Sequence, residues 1–414
     1  MKCAISRRWI VFSLASLLFL LSQFYRASVA VITPELIAAV GLDTRQLSLV
    51  SAAFFYAFAL TQIPIGIYLD RLGPRRTMTA LSIIAAIGAL VFAWAESFGM
   101  LLLGRILMGV GMACNLMGSL KLLTLWFGPA RFATLAALVV SIGTGGNLMA
   151  ATPLVLLVQS FGWRVSFTLF SAVNLVLVIF FFSVVTDRPE RGPGAHSMPA
   201  MVQNMRDTLS GIIQLFRTRD YWIISLGTFC RYGIFASVQA LWAGPFLRNV
   251  MHQSAIVTGN MIFLMNIGLV IGGPLCGYLS DHIWKTRKGV IIMGLIGMAA
   301  VLLALAFTPT DIHTGVLSIL FFLCGAFSSA GMVMYPHIKE RVSIEKAGAA
   351  MTGINFFTMA GAAVFLQGLG SMMQRFFPGN SLGPSAFQTV FVICALCLIG
   401  IAVVYTRSKE THEG

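Results

Sequence analysis

Acidic side chains are scarce in this chain. Its 414 residues contain 14 Asp and Glu against 28 Lys and Arg, and all charged residues together make up 10%. A soluble protein carries about 25%. With 58% of residues hydrophobic and a mean hydropathy of +0.87, too little polar surface remains to cover a soluble core, and a soluble globular protein is excluded. Cysteine is sparse as well. There are seven, an odd number, and Cys114, Cys230, Cys276, Cys324, Cys394 and Cys397 lie in apolar runs, which excludes a disulfide-stapled secreted domain. Cys394 and Cys397 have CxxC spacing but no acid or histidine beside them, so they read as helix filler rather than a redox or zinc site. No Gly-x4-Gly-Lys-Ser/Thr loop, HExxH motif or paired His/Cys cluster occurs. ATP drive, a metal site, a cofactor and a catalytic constellation are therefore not expected, and the chain does not read as an enzyme.

What the sequence has in abundance is long apolar runs. Twelve are legible, at about 9–38, 46–69, 77–95, 99–124, 132–156, 165–185, 221–247, 256–279, 289–308, 314–338, 348–373 and 386–406. About 20 helical residues cross about 30 Å of hydrocarbon, so each can span a bilayer. The alternating pattern of a membrane β-barrel is absent. The expected fold class is an all-α membrane protein with 12 transmembrane helices. The first 30 residues resemble a signal peptide, with Lys2, Arg7 and Arg8 before an apolar run, but the run continues past Arg26 without a small-x-small cleavage pattern and reads as the first span.

A net charge of +14 invites a nucleic-acid reading, and the distribution of the charge answers it. With the N-terminus placed in the cytoplasm, 21 basic residues fall on the inner side and 4 on the outer side. That is the positive-inside bias, with both termini cytoplasmic. The basic balance is topology, and no nucleic-acid partner is implied. Compact loops and short termini suggest a bacterial inner membrane. Arg26, Arg105 and Arg231 remain, all inside apolar segments.

The longest hydrophilic stretch divides the chain into 1–186, a linker at 187–219 and 220–414. The linker opens on Asp187-Arg188-Pro189-Glu190-Arg191-Gly192-Pro193-Gly194, rich in helix breakers. It then places Leu209, Ile212, Ile213 and Phe216 on one face of an amphipathic helix along the inner membrane surface. Six spans lie on each side, and the halves echo each other. Gly66-Ile67-Tyr68-Leu69-Asp70 ends the second span and Gly277-Tyr278-Leu279-Ser280-Asp281 the eighth, while Phe24-Tyr25-Arg26 and Phe229-Cys230-Arg231 lie in the first and seventh. Internal duplication of this kind marks a secondary transporter that binds its substrate between the halves.

On these motifs the chain resembles the major facilitator superfamily over essentially its whole length. Gly66-x-x-x-Asp70-Arg71-x-Gly73-x-Arg75-Arg76 matches the signature between helices 2 and 3, Gly104-Arg105-x-x-x-Gly109-x-Gly111 resembles the helix 4 signature, and Gly162-Trp163-Arg164 matches a common helix 5–6 turn. The resemblance implies two pseudo-symmetric six-helix bundles, alternating access and a monomer. It also implies a gate at the cytoplasmic side built from Gly66, Asp70, Arg71, Gly73, Arg75 and Arg76, with Asp70 pairing a neighbouring helix terminus and arginines. Gly277, Asp281 and Arg287 form a degraded copy. Helices 1, 4, 7 and 10 would line the path, which selects Tyr25, Asn115, Gln239, Trp242 and Tyr335 as substrate-facing. His337 reads as a local structural histidine, Lys121 as a side chain reaching the interface, and Arg105 as a partner of helix ends.

Arg26 and Arg231 are the sharpest feature. A charge at mid-membrane depth costs at least about 2.5–3.5 kcal/mol and is kept toward a watery cavity or a partner. All fourteen acids fall in loops or near segment ends. Two guanidinium groups on corresponding helices, with no carboxylate between them, suit an anion; the alternative is bonding to backbone carbonyls or packing on Tyr25, Tyr232 or Trp242. The run Arg26 to Glu35 and the tetrapeptide Arg231-Tyr232-Gly233-Ile234 resemble the helix 1 and helix 7 segments of the organophosphate:phosphate antiporters, whose matching arginines grip phosphate. Ala27 and Gln62 stand where that family has lysines, and Gly145 lies near its helix 5 histidine, so a singly charged or carboxylate anion fits better than a phosphate dianion. The expected function is transport of a small organic anion, with exchange the mode that suits the arginine pair. A membrane sensor of the same fold and a proton-driven exporter of a neutral or cationic compound are the alternatives.

Overall fold

The computed structural model describes residues 2–127, 131–187, 216, 218–341 and 344–410, with the side chains of residues 2–6, 63, 67, 70, 133, 344–349 and 352 left undescribed. Almost all of the linker expected at 187–219 lies outside that set. Regular structure among the described residues is helical throughout. In chain order the helices are α1 (Lys2–Ala27), α2 (Thr33–Val40), α3 (Thr44–Arg71), α4 (Gly73–Ala93), α5 (Phe98–Met112), α6 (Asn115–Phe127), α7 (Phe132–Met149) and α8 (Thr152–Val184) in the first half. The second half contains α9 (Arg219–Ser237), α10 (Ala255–Tyr278), α11 (Arg287–Ala306), α12 (Thr314–Ser328), α13 (Met334–Arg341), α14 (Ile344–Phe376) and α15 (Pro384–Tyr405).

Loop residues explain where many helices begin. Asp43 accepts the Gln46 backbone N–H at 2.6 Å while the Gln46 side chain accepts the Asp43 N–H at 3.2 Å, a reciprocal cap on α3. Ser97, Ser254 and Thr286 cap α5, α10 and α11 in the simpler way. Among the described residues nine helical stretches are long and apolar enough to cross a membrane. Three more complete the twelve: α3 with 28 residues, α7 with 18, and α9, whose helical path runs on through wider π-type turns at Val238–Trp242 and Phe246–Val250. Gly162, at φ 78° and ψ 160°, bends α8. Its first part follows α7 as the fifth span, and its remainder is the sixth.

Within each half, helices approach through small residues, as membrane helices do. Gly88 of α4 meets Gly104 of α5, Gly109 meets the Phe54 backbone of α3, and Gly111 meets Ala85 of α4. The helix 4 signature is thus a set of contact faces toward α3 and α4. In the second half Gly233 meets Gly361, and Gly268 and Gly325 bring α10 and α12 together.

The halves join at the face opposite the basic loops. There α3 packs along α14 and α10 packs on α7 and α8. Thr44 and Ser381 share a hydrogen bond of 2.7 Å, the Tyr56 hydroxyl donates to Gln367 at 2.9 Å, and Thr152 bonds Asn260 at 2.7 Å. On the basic face the ion pairs of the described residues, Arg287 with Asp281 and Glu340 and Arg341 with Asp220, stay inside the second half.

The expected gate segments show how each half is held on that face. Gly73 opens α4 at φ 79°, and the Asp187 carboxylate lies so close that a Cβ there would collide with it. That carboxylate accepts the Arg75 N–H at 2.8 Å, and the Arg75 guanidinium donates to the Phe182 carbonyl at 2.7 and 3.0 Å. The acid at the α4 terminus is therefore Asp187; the Asp70 side chain lies outside the described residues. Arg71 and Arg76 are exposed. In the second half Glu410 takes the equivalent place, accepting the Arg287 and Lys288 N–H groups at 3.0 and 3.3 Å. A Cβ at Gly66 or Gly277 would meet nothing within 4 Å, so neither glycine makes a close helix contact in this conformation, in which the halves are joined at the other face. The Lys121 ammonium donates to the Leu69 carbonyl near the end of α3 at 2.5 Å. Gly73→Ala is expected to lower the unfolding free energy in detergent by about 1–3 kcal/mol, whereas Gly66→Ala, in an open helical position, leaves it unchanged or raises it; denaturant titration of both variants checks the contrast.

Candidate functional site

Among the described residues the first, fourth, seventh and tenth spans have irregular backbone within them, as does the fifth at Ala150 and Ala151 between α7 and α8. The first breaks between α1 and α2, the fourth at Ala113 and Cys114 between α5 and α6, the seventh widens at Val238–Trp242, and the tenth tightens to a 3-10 helix at Ser329–Val333 between α12 and α13. Irregular backbone at membrane depth is tolerated where it is buried in protein or lines a cavity, and each freed carbonyl needs a donor. Side chains from other helices supply several of them. Arg105 reaches the Tyr25 carbonyl at 2.6 Å, Ser22 the Met112 carbonyl at 3.2 Å, Gln62 the Ala113 carbonyl at 2.8 Å, and Arg231 the Ser328 carbonyl at 2.7 Å.

The three intramembrane arginines separate on this basis. Arg105 is 1% exposed and donates to three carbonyls, those of Tyr25, Val50 and Ser51, with its guanidinium 4.8 Å from the Phe54 ring centroid. It is a structural tie, as expected, and the carbonyl it grips belongs to the residue preceding Arg26. Arg231 donates through Nη1 to the carbonyl and hydroxyl of Ser328 at 2.7 and 3.2 Å, with the Tyr232 ring at 5.6 Å. Its guanidinium lies so close over Gly331 that a Cβ there would overlap it. Arg26 has neither a carbonyl nor a carboxylate partner among the described residues. Its Nη1 donates to the Tyr232 hydroxyl at 3.1 Å, across the halves, and its guanidinium lies 4.9 Å from the Phe58 ring centroid. Both Arg26 and Arg231 are more than nine-tenths buried, and the Nε of each has no hydrogen-bond partner among the described residues. Carbonyl bonding and aromatic packing, the alternative to anion binding, therefore describe Arg231 in part and Arg26 only through its rings.

Of the other expected site residues, Tyr335 joins the pair: it lies within electrostatic reach of Arg231, Tyr232 and Arg26. Tyr25 adjoins Arg26 in α1, with its hydroxyl buried and unpartnered. Trp242 is fully buried, edge-on to Phe387 at 6.3 Å, with an unpartnered indole N–H. Asn115 and Gln239 are engaged elsewhere. The Asn115 amide donates to the Leu18 carbonyl at 3.1 Å and accepts from Ser82 at 3.4 Å, while Gln239 is hydrogen-bonded to Asn266. Both tie helices together in this conformation. Ser328, Gly331 and Phe58 were not singled out from the sequence, and Tyr232 was named only as an aromatic on which an arginine could pack. Tyr232 was visible beside Arg231, and Ser328-Ser329-Ala330-Gly331 is a run of small residues in an apolar span; Phe58, one of many phenylalanines, gave no signal. His337 has both ring nitrogens engaged, with the Tyr405 hydroxyl at 2.8 Å and the Lys409 carbonyl at 3.0 Å. A carbonyl only accepts, so Nε2 carries the proton and the residue fastens the C-terminal segment. Among the described residues no group of His, Cys, Asp and Glu could hold a metal ion.

The Major Facilitator Superfamily profile matches residues 14–246 and 224–414. The chain belongs to this superfamily. It is 25% identical over 417 residues to a protein of Cupriavidus necator named "Probable sulfoacetate transporter", covering 95% of each chain. It is 23% identical over 433 residues to the "Hexuronate transporter" of Escherichia coli, covering 98% of this chain and 97% of the other. A "Galacturonate transporter" of Dickeya chrysanthemi is 24% identical over 308 residues, covering 70% of this chain and 89% of that one. In fold it is similar to a bacterial homolog of the human lysosomal transporter Spinster, with a TM-score of 0.78 at 18% identity over 96% of each chain. A nucleoside transporter structure superposes with a TM-score of 0.75 at 15% identity over 96% of this chain and 99% of that one. This major facilitator protein therefore has twelve transmembrane helices in two six-helix bundles, and its superfamily is one of transporters rather than enzymes. The organophosphate:phosphate antiporter grouping suggested by the segments around Arg26 and Arg231 finds no support in these relatives.

Two substitutions test the arrangement. Arg105→Met leaves three carbonyls without their donor and is expected to lower stability by about 2–4 kcal/mol, read as a fall in melting temperature in detergent. Gly331→Ala drives the Arg231 guanidinium off Ser328 and is expected to reduce ligand affinity by tenfold or more with a much smaller change in melting temperature.

Proposed function

We propose that this protein is a secondary transporter that carries a small organic monoanion, a carboxylate or sulfonate, across the bacterial inner membrane by alternating access, with Arg26 and Arg231 holding the anion. The observation that carries the reading is the pair itself: two buried guanidinium groups from opposite halves, without a carboxylate partner among the described residues, each with an Nε donor to spare. Guanidinium forks match planar carboxylate and sulfonate oxygens. Relatives named for hexuronate and galacturonate support an organic monoanion, and the one named for sulfoacetate, a dianion, supports the wider class of small organic anions. The charge count supports a monoanion over a phosphate dianion: Ala27 replaces one lysine of the organophosphate pattern, and Gln62 replaces the other with an amide engaged on the Ala113 carbonyl.

In this reading the basic face is cytoplasmic, by the positive-inside rule, and the conformation is open toward the cytoplasm. Gly66, Asp70, Arg71, Gly73, Arg75 and Arg76, with Gly277, Asp281 and Arg287, meet across the halves when the protein opens outward, and Gly66 and Gly277 then receive the helix contact they lack here. Tyr25, Trp242 and Tyr335 offer polar atoms along the path, and Asn115 and Gln239 hold its walls.

The test is thermal stability of the purified protein against sulfoacetate, glucuronate, galacturonate, amino acids and glycerol 3-phosphate. Saturation at about 100 times the dissociation constant stabilises the folded state by about 2.7 kcal/mol. A melting shift with carboxylates or sulfonates, lost in both Arg26→Gln and Arg231→Gln, is the expected result. A response to none of them, or one unchanged in both variants, would refute the reading.

A further inference from the structure

We propose that Tyr232 determines whether the carrier can change conformation empty, because its hydroxyl stands in for the anion on Arg26. The inference rests on the reading of Arg26 and Arg231 as the anion ligands.

The physical problem is the unloaded site. A carrier that releases its anion leaves two guanidinium charges facing each other in a low-dielectric interior, and a site in that condition resists closing. Such a protein would exchange one anion for another and fail at net movement. The structure shows how each charge is held without a ligand, and the two solutions differ. Arg231 is bonded within its own half, to the carbonyl and hydroxyl of Ser328. That support travels with it through any movement of the halves. Arg105 is likewise held by three carbonyls of its own half. Arg26 differs from both. Its hydrogen-bond acceptor among the described residues is the Tyr232 hydroxyl, on the other half, at 3.1 Å.

Tyr232 contacts both charges. Its hydroxyl accepts from Arg26, and its ring lies 5.6 Å from the Arg231 guanidinium carbon. A neutral hydroxyl is a weaker acceptor than an anionic oxygen, so an arriving anion displaces it and a departing anion lets it return. The bond is a competitor of the substrate and a substitute for it. It gives the Arg26 guanidinium an acceptor while the site is empty, though no countercharge, and so lowers the cost of rocking without cargo.

Two consequences follow for Tyr232→Phe, which keeps the ring beside Arg231 and removes only the hydroxyl. The empty site loses its acceptor while the loaded site does not need it, so the anion binds about tenfold more tightly. For the same reason the empty return slows, and the ratio of net uptake to exchange falls about tenfold. A residue that merely supports the fold would weaken binding or lower both fluxes together.

The experiment uses the full-length protein in proteoliposomes with the membrane potential clamped, and labelled galacturonate and sulfoacetate as probes. Net uptake into empty vesicles and exchange against the same internal anion are measured for wild type and Tyr232→Phe, with dissociation constants from ligand-dependent melting of the same preparations. Tighter binding together with a fallen ratio supports the inference. Unchanged or weaker binding, or two fluxes that fall in proportion, overturns it while leaving the anion reading intact. Absence of both fluxes and of any melting response in the wild type overturns the anion reading and this inference with it.

Discussion

A backbone carbonyl freed inside a membrane must find a donor, and the rest of this structure follows from where the carbonyls are freed. The four spans that the superfamily resemblance assigned to the path all have irregular backbone, and the fifth shares the feature between α7 and α8. At three of them, long or small polar side chains from other helices reach in to the interrupted ladder. Arg105, Ser22, Gln62 and Arg231 each donate to a carbonyl near a break. Breaking a helix gives the path a shape that straight helices cannot, and the donors make the break tolerable.

That constraint also sorts the charges. An arginine held by carbonyls is compensated without any ion, and Arg105 is the complete case. Arg231 is an intermediate one, anchored by Ser328 through one nitrogen and with Nε unpartnered. Arg26 sits on the last turn of α1, where the adjacent carbonyl is already taken by Arg105 and the Ser28 hydroxyl. It is left with rings and a hydroxyl from the other half. The gradation from fully to barely satisfied guanidinium groups is the electrostatic basis for regarding the last two as ligands and the first as structure.

The loops on the basic face repeat one device in both halves. An acid just beyond the sixth span, Asp187, binds the backbone at the start of the third, and Glu410 beyond the twelfth does the same for the ninth. Carboxylates at helix N-termini are favoured by the exposed N–H groups and the helix dipole. Together with Arg75 on the Phe182 carbonyl, these contacts tie the loops of each half to that same half, on the face where no ion pair among the described residues links one half to the other.

Much of this was determined by the sequence by itself. Apolar run length sets the number of spans because the bilayer has a fixed thickness, and the lysines and arginines cluster in the loops of one face. The gate motifs and the paired Arg26 and Arg231 are legible because charge and glycine are conspicuous in a chain that is otherwise hydrocarbon. The break in the fourth span was not legible, since Met112, Ala113, Cys114 and Asn115 contain no breaker, whereas Pro34 marks the start of α2 after the break in the first; a run such as 314–338 reads as one helix until packing decides which carbonyls turn away. Nor could the sequence say that Asn115 and Gln239 bond other helices, that Asp187 binds the backbone at the start of α4, or that Tyr232 meets Arg26 some two hundred positions away. Those outcomes depend on distances between helices remote in the chain. Hydrogen bonds are short and directional, so which donor meets which acceptor is decided only when the tertiary structure brings them within about 3 Å.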